Sequence, residues 1–220
     1  MSIQTKIDNG REYRNFQIPF EVRAASDDAA EMIVEGYATV FNQPYTLFEM
    51  DGYRVDEQVD ARAFDECDME DVIFQYDHEG RVFARISNNT LELSTDDTGL
   101  KVRANLGGTE IGRQLYQEIK GGYTNKMSFG FTIEKDTTTE TDDNGNITVL
   151  RTIDKVRKLY DVSAVSLPAN DATSISARNY GDGVIAEIKA ERQRADEARK
   201  QLEHKTKALQ LRIKLNLMED

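Results

Sequence analysis

Between Val184 and Met218 the chain contains neither proline nor glycine, and Ala, Glu, Lys, Arg, Gln and Leu dominate. Nothing upstream of Tyr180-Gly181-Asp182-Gly183 resembles it: there, short apolar or alternating runs are broken repeatedly by turn residues. One stretch can only be a long helix, and the other favours many short strands. The expected organisation is therefore a folded domain over residues 1–180 and a charged amphipathic helical tail over 181–220.

Within the first part, Met32 to Phe41 is rich in β-formers, with Gly36 placed for a bulge. Val72-Ile73-Phe74-Gln75-Tyr76 is an apolar strand that delivers His78 at its end. Val82 to Ile86 and Thr90 to Ser94 follow as strands. Asp96-Asp97-Thr98-Gly99 is a turn, and Leu100, Val102, Ala104 and Leu106 then alternate with polar residues. One helix interrupts, with Thr109 as N-cap, Ile111, Leu115 and Ile119 on one face, and Gly121 as its stop. Met127 to Ile133 returns to strand, Asp142-Asp143-Asn144-Gly145 makes a hairpin turn, and Lys158 to Leu167 is the last strand, closed by Pro168-Ala169. The expected fold class is mainly β with a few helices, an antiparallel barrel or sandwich.

In the tail, Ile188, Ala195, Leu202, Leu209 and Asn216 share one heptad position, while Glu191, Lys205 and Arg212 interrupt the rest of the seam. Such a narrow stripe fits either a helix seeking a partner or a solvated one.

Charge excludes several function classes. The chain carries a net −12, and residues 1–180 hold 32 acidic against 19 basic residues. From Glu49 to Glu79 twelve acids face only Arg54 and Arg62. Such a surface repels phosphates, so no nucleic-acid partner is expected. It is either a solvated acidic face or a rim that steers a basic partner. No apolar run approaches the roughly 20 residues a bilayer span needs, so no membrane is expected. The polar start, Met1 to Gly10, lacks a secretory apolar stretch, and a single cysteine excludes an internal disulfide, which fits a reducing cytoplasm.

Three residues carry the candidate chemistry. In Met127-Ser128-Phe129-Gly130-Phe131 the large side chains share one face, and Ser128 and Gly130 share the other, leaving room for a peptide. That pattern also describes a core strand with a solvent-facing serine. His78, in Tyr76-Asp77-His78-Glu79-Gly80, is one of two histidines, and histidine is the side chain that titrates near neutral pH. Asp161 lies in Leu159-Tyr160-Asp161-Val162-Ser163. A hydroxyl, an imidazole and a carboxylate make a nucleophile, its base and an orienting group, provided that geometry unites them. Cys67 is set aside, because neighbouring acids suppress its thiolate. As neighbours on a strand, Asp77, His78 and Glu79 point in opposite directions and do not converge easily on a metal, and neither Asp-rich turn has calcium-loop spacing, so no metal or cofactor is expected.

Read together, several segments resemble the tailed-bacteriophage prohead (capsid maturation) serine protease family, whose fold is related to herpesvirus assemblin. They are Glu35 to Asn42, Ala63-Phe64, residues 76–79, Thr98-Gly99-Leu100, Lys120-Gly121-Gly122 leading to Met127 to Phe131, and Leu159 to Val165 followed by Pro168-Ala169. The resemblance runs from about Phe20 to Arg178. It implies a closed antiparallel β-barrel of assemblin type, with Ser128 as nucleophile, His78 as general base and Asp161 as the residue that orients His78. Asp161 departs from the Glu usual at that position. The sequence does not place the oxyanion hole; backbone amides around Ser163 to Asn170 are candidates, since related viral proteases use the segment after their third catalytic residue. The implied task is cleavage of the scaffolding segment of the major capsid protein inside the prohead, in the host cytoplasm, followed by self-digestion in a homo-oligomer. The rival from another class is a non-catalytic scaffold or assembly chaperone of the capsid.

Overall fold

The computed structural model describes residues 11–16, 21–24, 32–50, 52–165 and 171–216. They form β1 (Glu12–Phe16), β2 (Glu21–Ala24), β3 (Met32–Val40), β4 (Tyr45–Met50), β5 (Tyr53–Val59), β6 (Ile73–Tyr76), β7 (Glu79–Arg85), β8 (Leu91–Thr95), β9 (Gly99–Asn105), α1 (Glu110–Lys120), β10 (Lys126–Asp143), β11 (Asn146–Val165) and α2 (Asp171–Asn216). The mainly β character with two α-helices is as expected.

The closed antiparallel barrel is not what the strand pairing gives. Among the described residues there are two sheets, and neither closes on itself: an antiparallel one ordered β2-β3-β9-β8, and a seven-stranded one built around β11. The larger sheet is mixed. β10 pairs antiparallel with β11 along one edge. On the other edge β11 runs parallel to β5 through Ile147–Ile153 and parallel to β6 through Asp161–Ala164. Parallel partners need a crossover and lie far apart in sequence, so turn chemistry cannot announce them.

Of the expected last strand, residues 166–167 lie outside the described residues. The segments around Met127 to Ile133 and Lys158 to Val165 belong to one long hairpin rather than to separate strands. Its two-residue turn, Asn144-Gly145, has φ of 54° and 94°, the left-handed pair that a type I′ turn requires. Helix α1 begins as expected, with Thr109 accepting a hydrogen bond from the Gly112 N–H. Gly121 caps it in right-handed geometry, and Gly122 takes the left-handed φ of 77°. In β3 the irregularity falls between Tyr37 and Thr39, while Gly36 stays in register with Val102.

The core is contiguous. Val34, Leu100 and Val102 of the smaller sheet, Phe74, Phe129, Phe131, Leu159 and Val162 of the larger one, and Leu115 and Ile119 of α1 belong to one buried cluster. Phe129 and Phe131 stack with ring centroids 4.4 Å apart. Each fully buried aromatic contributes roughly 1.5–3 kcal/mol, which fixes which face of β10 points inward.

A buried charge cluster ties the edge strand β1 to this sheet. Arg14, 2% exposed, places Nε 2.5 Å from Glu57 Oε1 and Nη2 2.9 Å from Oε2. Arg151 Nη1 donates to Glu57 Oε2 at 3.1 Å and to Glu12 Oε2 at 3.2 Å, and the Tyr45 hydroxyl donates to Glu57 as well. Burial alone would push the Glu57 carboxyl up, but the charges and hydrogen bonds of Arg14 and Arg151, with Tyr45, hold it below its ordinary value.

The chain divides into two compact units, Met1–Ala177 and Arg178–Asp220. Helix α2 runs through Gly181-Asp182-Gly183 without a break, although each interior glycine costs about 1 kcal/mol. At 46 residues it is about 70 Å long, and every residue from Lys189 to Lys207 is exposed, Ala195 and Leu202 of the stripe included. Among the described residues no helix is long and apolar enough to cross a membrane.

Candidate active site

The site lies where β10, β11 and the β6–β7 turn meet. Backbone register puts Ser128 opposite Ser163 and Gly130 opposite Asp161. On the far side of β10, β1 aligns Asn15 with Ser128 and Tyr13 with Gly130.

A bulge makes this face possible. Phe131 pairs with Leu159 and Gly130 with Asp161, so Tyr160 is the extra residue in β11. Simple alternation would put Leu159, Asp161 and Ser163 on one face. With Tyr160 inserted, Leu159 and Val162 both reach the core, while Asp161 and Ser163 turn to the Ser128 side. The Tyr160 ring lies under the Arg11 guanidinium, 3.7 Å away, and Arg11 Nη1 stands 3.9 Å from Asp161 Oδ2.

His78 arrives from a tight turn. Tyr76 pairs with Glu79, leaving Asp77 and His78 as the two loop residues, with φ of 48° and 58°. The strand-like alternation assumed for Asp77, His78 and Glu79 does not apply, because two of the three form this turn. Left-handed backbone at two consecutive non-glycine residues is costly, on the order of 1–3 kcal/mol each, and such strain collects at functional sites. The Asp77 N–H is held by the Ala164 carbonyl at 3.0 Å, which anchors the turn to β11.

The three side chains singled out in the sequence converge. His78 Nε2 lies 2.5 Å from Ser128 Oγ, and His78 Nδ1 lies 2.5 Å from Asp161 Oδ1. A carboxylate only accepts, so Nδ1 carries the proton toward Asp161 and Nε2 presents its lone pair to the Ser128 hydroxyl. This is the tautomer that general-base chemistry requires. The Asp161 side chain is 2% exposed and that of His78 16%.

Sequence reasoning missed four contributors. Tyr13 packs its ring on the imidazole, with centroids 4.4 Å apart. Arg11 faces Asp161. The Ser163 hydroxyl lies 3.1 Å from Asp161 Oδ1 and 3.2 Å from His78 Nδ1. Gly130 leaves the space that Asp161 fills: a Cβ there would meet Asp161 Oδ2 at 2.3 Å and Tyr13 Cε1 at 2.7 Å. The motif Ser-Phe-Gly-Phe held the signal for Gly130, because a glycine inside a strand marks a close approach. The other three depend on a distant strand or on the bulge.

The face expected to be open is closed. Ser128 is 0% exposed, so a peptide carbonyl reaches it only when neighbouring groups move. Burial, more than its acidic neighbours, pushes the Cys67 thiol up to about 11, so it is no nucleophile. Among the described residues no group of three or more His, Cys, Asp or Glu is arranged to hold a metal. Residues 166–170 of the implied oxyanion segment lie outside the described residues.

The family model for the caudovirus prohead serine protease matches residues 19–183, three quarters of the chain. The chain belongs to that family. The match contains Ser128, His78 and Asp161, and the family is one of bacteriophage capsid-maturation proteases. Among solved structures the chain is similar to the capsid assembly protease of bacteriophage T4, at 13% identity and a TM-score of 0.43, over 73% of this chain and 100% of that one. No curated protein matches the sequence.

Proposed function

We propose that this chain is a serine endopeptidase in which Ser128 attacks the scissile carbonyl. His78 takes the hydroxyl proton on Nε2 and returns it to the leaving amine, and Asp161 aims the imidazole and stabilises its cation. Water then releases the acyl group by the same proton path in reverse. The single observation that supports this most is the unbroken hydrogen-bond chain Ser128–His78–Asp161 inside the family-matched region. Two tight contacts on one imidazole, made by side chains 50 and 83 residues away in sequence, are what base-assisted attack needs.

In this reading the substrate is the scaffolding segment of the phage major capsid protein. The enzyme works as a homo-oligomer inside the immature capsid, in the host cytoplasm, and then digests itself. The helical tail, 181–220, whose residues 189–207 are exposed, serves to hold the enzyme to shell or scaffold during assembly. The acidic surface of the domain favours substrate segments with basic residues.

The test is direct. Purified full-length protein incubated with its capsid protein yields discrete fragments, and a fluorophosphonate probe labels Ser128. In Ser128→Ala both are lost while the circular dichroism spectrum is unchanged. Cleavage by the Ser128→Ala protein at the wild-type rate would remove the nucleophile assignment.

A further inference from the structure

The proposed triad uses Asp161 through one oxygen only. Oδ1 takes the contact from His78 Nδ1, whereas Oδ2 is buried and has no hydrogen-bond partner among the described residues, with Arg11 standing 3.9 Å from it. A carboxylate of an Asp has two torsions, and a single hydrogen bond does not hold both. Ser163 supplies a second constraint. It is two residues on along the same strand face, is 0% exposed, and sits opposite Ser128 in register. Its Oγ is 3.1 Å from Asp161 Oδ1 and 3.2 Å from His78 Nδ1.

The protons decide what Ser163 does. The carboxylate can only accept, so the one hydroxyl proton of Ser163 goes to Asp161 Oδ1. Nδ1–H is then flanked by Oδ1 and, more distantly, by a lone pair of Ser163 Oγ. When His78 takes the Ser128 proton, the imidazolium therefore faces two oxygens held in fixed places. Hydrogen bonds to charged groups are stronger than neutral ones and gain further where water is excluded.

We propose that Ser163 is a positioning residue of this site: its hydroxyl fixes the Asp161 carboxylate and, through it, the imidazole of His78 in line with Ser128. This rests on the protease reading above. Ser163 touches no reacting atom, and its effect runs entirely through Asp161 and His78.

The experiment follows saturable inactivation of the full-length protein by a fluorophosphonate, which reports how well Ser128 is activated without requiring a known substrate. In Ser163→Ala the limiting inactivation rate falls roughly ten- to a hundredfold while the probe's half-saturation concentration is unchanged. The downfield proton resonance of His78 Nδ1–H also moves, which a merely space-filling serine would not cause. In an Asp161→Asn background the same substitution adds less than a twofold loss, because the group it acts through is gone. Unchanged labelling with an unmoved Nδ1–H resonance overturns the proposal, and so does an equal loss in both backgrounds. If the alanine variant fails to fold, Ser163→Cys, similar in size but a poor donor, is read by the same criteria. Ser128→Ala run in parallel separates the two ideas. Labelling that survives in Ser128→Ala removes the protease reading and this proposal together. A silent Ser163→Ala beside an unlabelled Ser128→Ala removes only the role of Ser163.

Discussion

The two halves of the β10–β11 hairpin are covalently one element, and they handle polar residues in opposite ways. In the inner half, residues 127–132 of β10 are all buried, and Ser128, Asp161 and Ser163 lose their water to one another. In the outer half, residues 137–143 of β10 are exposed, and its Thr, Glu and Asp side chains face solvent. Register shifts between Gly130 and Asp136 separate the halves. Burial of polar groups is costly without partners, and here the site itself supplies most of them, leaving Thr132 Oγ1 and Asp161 Oδ2 without one among the described residues. Residues 137–143 of β10 have no such obligation, and across from them β11 pairs with β5 and buries Arg151 against Glu57.

Substitutions at either end test that contrast. The largest effect is expected from Asp161→Asn, which keeps the shape but reverses the hydrogen-bonding demand on His78 Nδ1. Cleavage should fall on the order of 10³–10⁴-fold with little change in melting temperature. A loss under tenfold would show that the inner half does not depend on its carboxylate.

Next comes Glu57→Gln, in the charge cluster between the halves. It leaves Arg14 and Arg151 without their buried counter-charge and should cost about 3–5 kcal/mol in denaturant unfolding. The sign of its pH dependence follows from the lowered carboxyl. Glu57 contributes its full stabilisation above its ordinary value of 4.5 and loses it as pH falls toward the depressed folded-state value. Wild-type protein should therefore weaken over that acid window more than the Gln variant does.

Gly130→Ala attacks packing rather than charge. The added methyl must displace Asp161 Oδ2 or the Tyr13 ring, so cleavage should fall about 10²-fold. Stability should drop about 1–3 kcal/mol, as overpacked sites do. Smallest of all is Thr138→Ala, on the exposed outer half, where unfolding should change by no more than about 0.5 kcal/mol and cleavage not measurably. If Thr138→Ala mattered as much as Gly130→Ala, the division of the hairpin would be wrong.

The same contrast explains what could be read from sequence. Alternation in Met127 to Phe131 tells which side chains enter the core, because large apolar residues have one place to go. The turn at Asn144-Gly145 is legible for the same local reason. The partners of β11 are not, since parallel pairing with β5 and β6 joins segments about 90 residues apart. Tyr160 hides the most. Read with period two, Asp161 lies on the face of Leu159, and only pairing against β10 reveals the extra residue. His78 was visible as chemistry, but nothing local states that Asp77-His78 is itself the turn. The glycines at 181 and 183 do not stop the helix, because helix on both sides carries them.

The left-handed turn that delivers His78 sets stability against activity at a single position. Its backbone suits Asn-Gly far better than Asp-His, and a glycine would relieve the strain while deleting the imidazole. On the proposed mechanism, selection for heat resistance alone would thus enrich dead enzyme at this loop. A library screened for robustness needs turnover scored in the same round, or it will discard the one side chain for which the loop is bent.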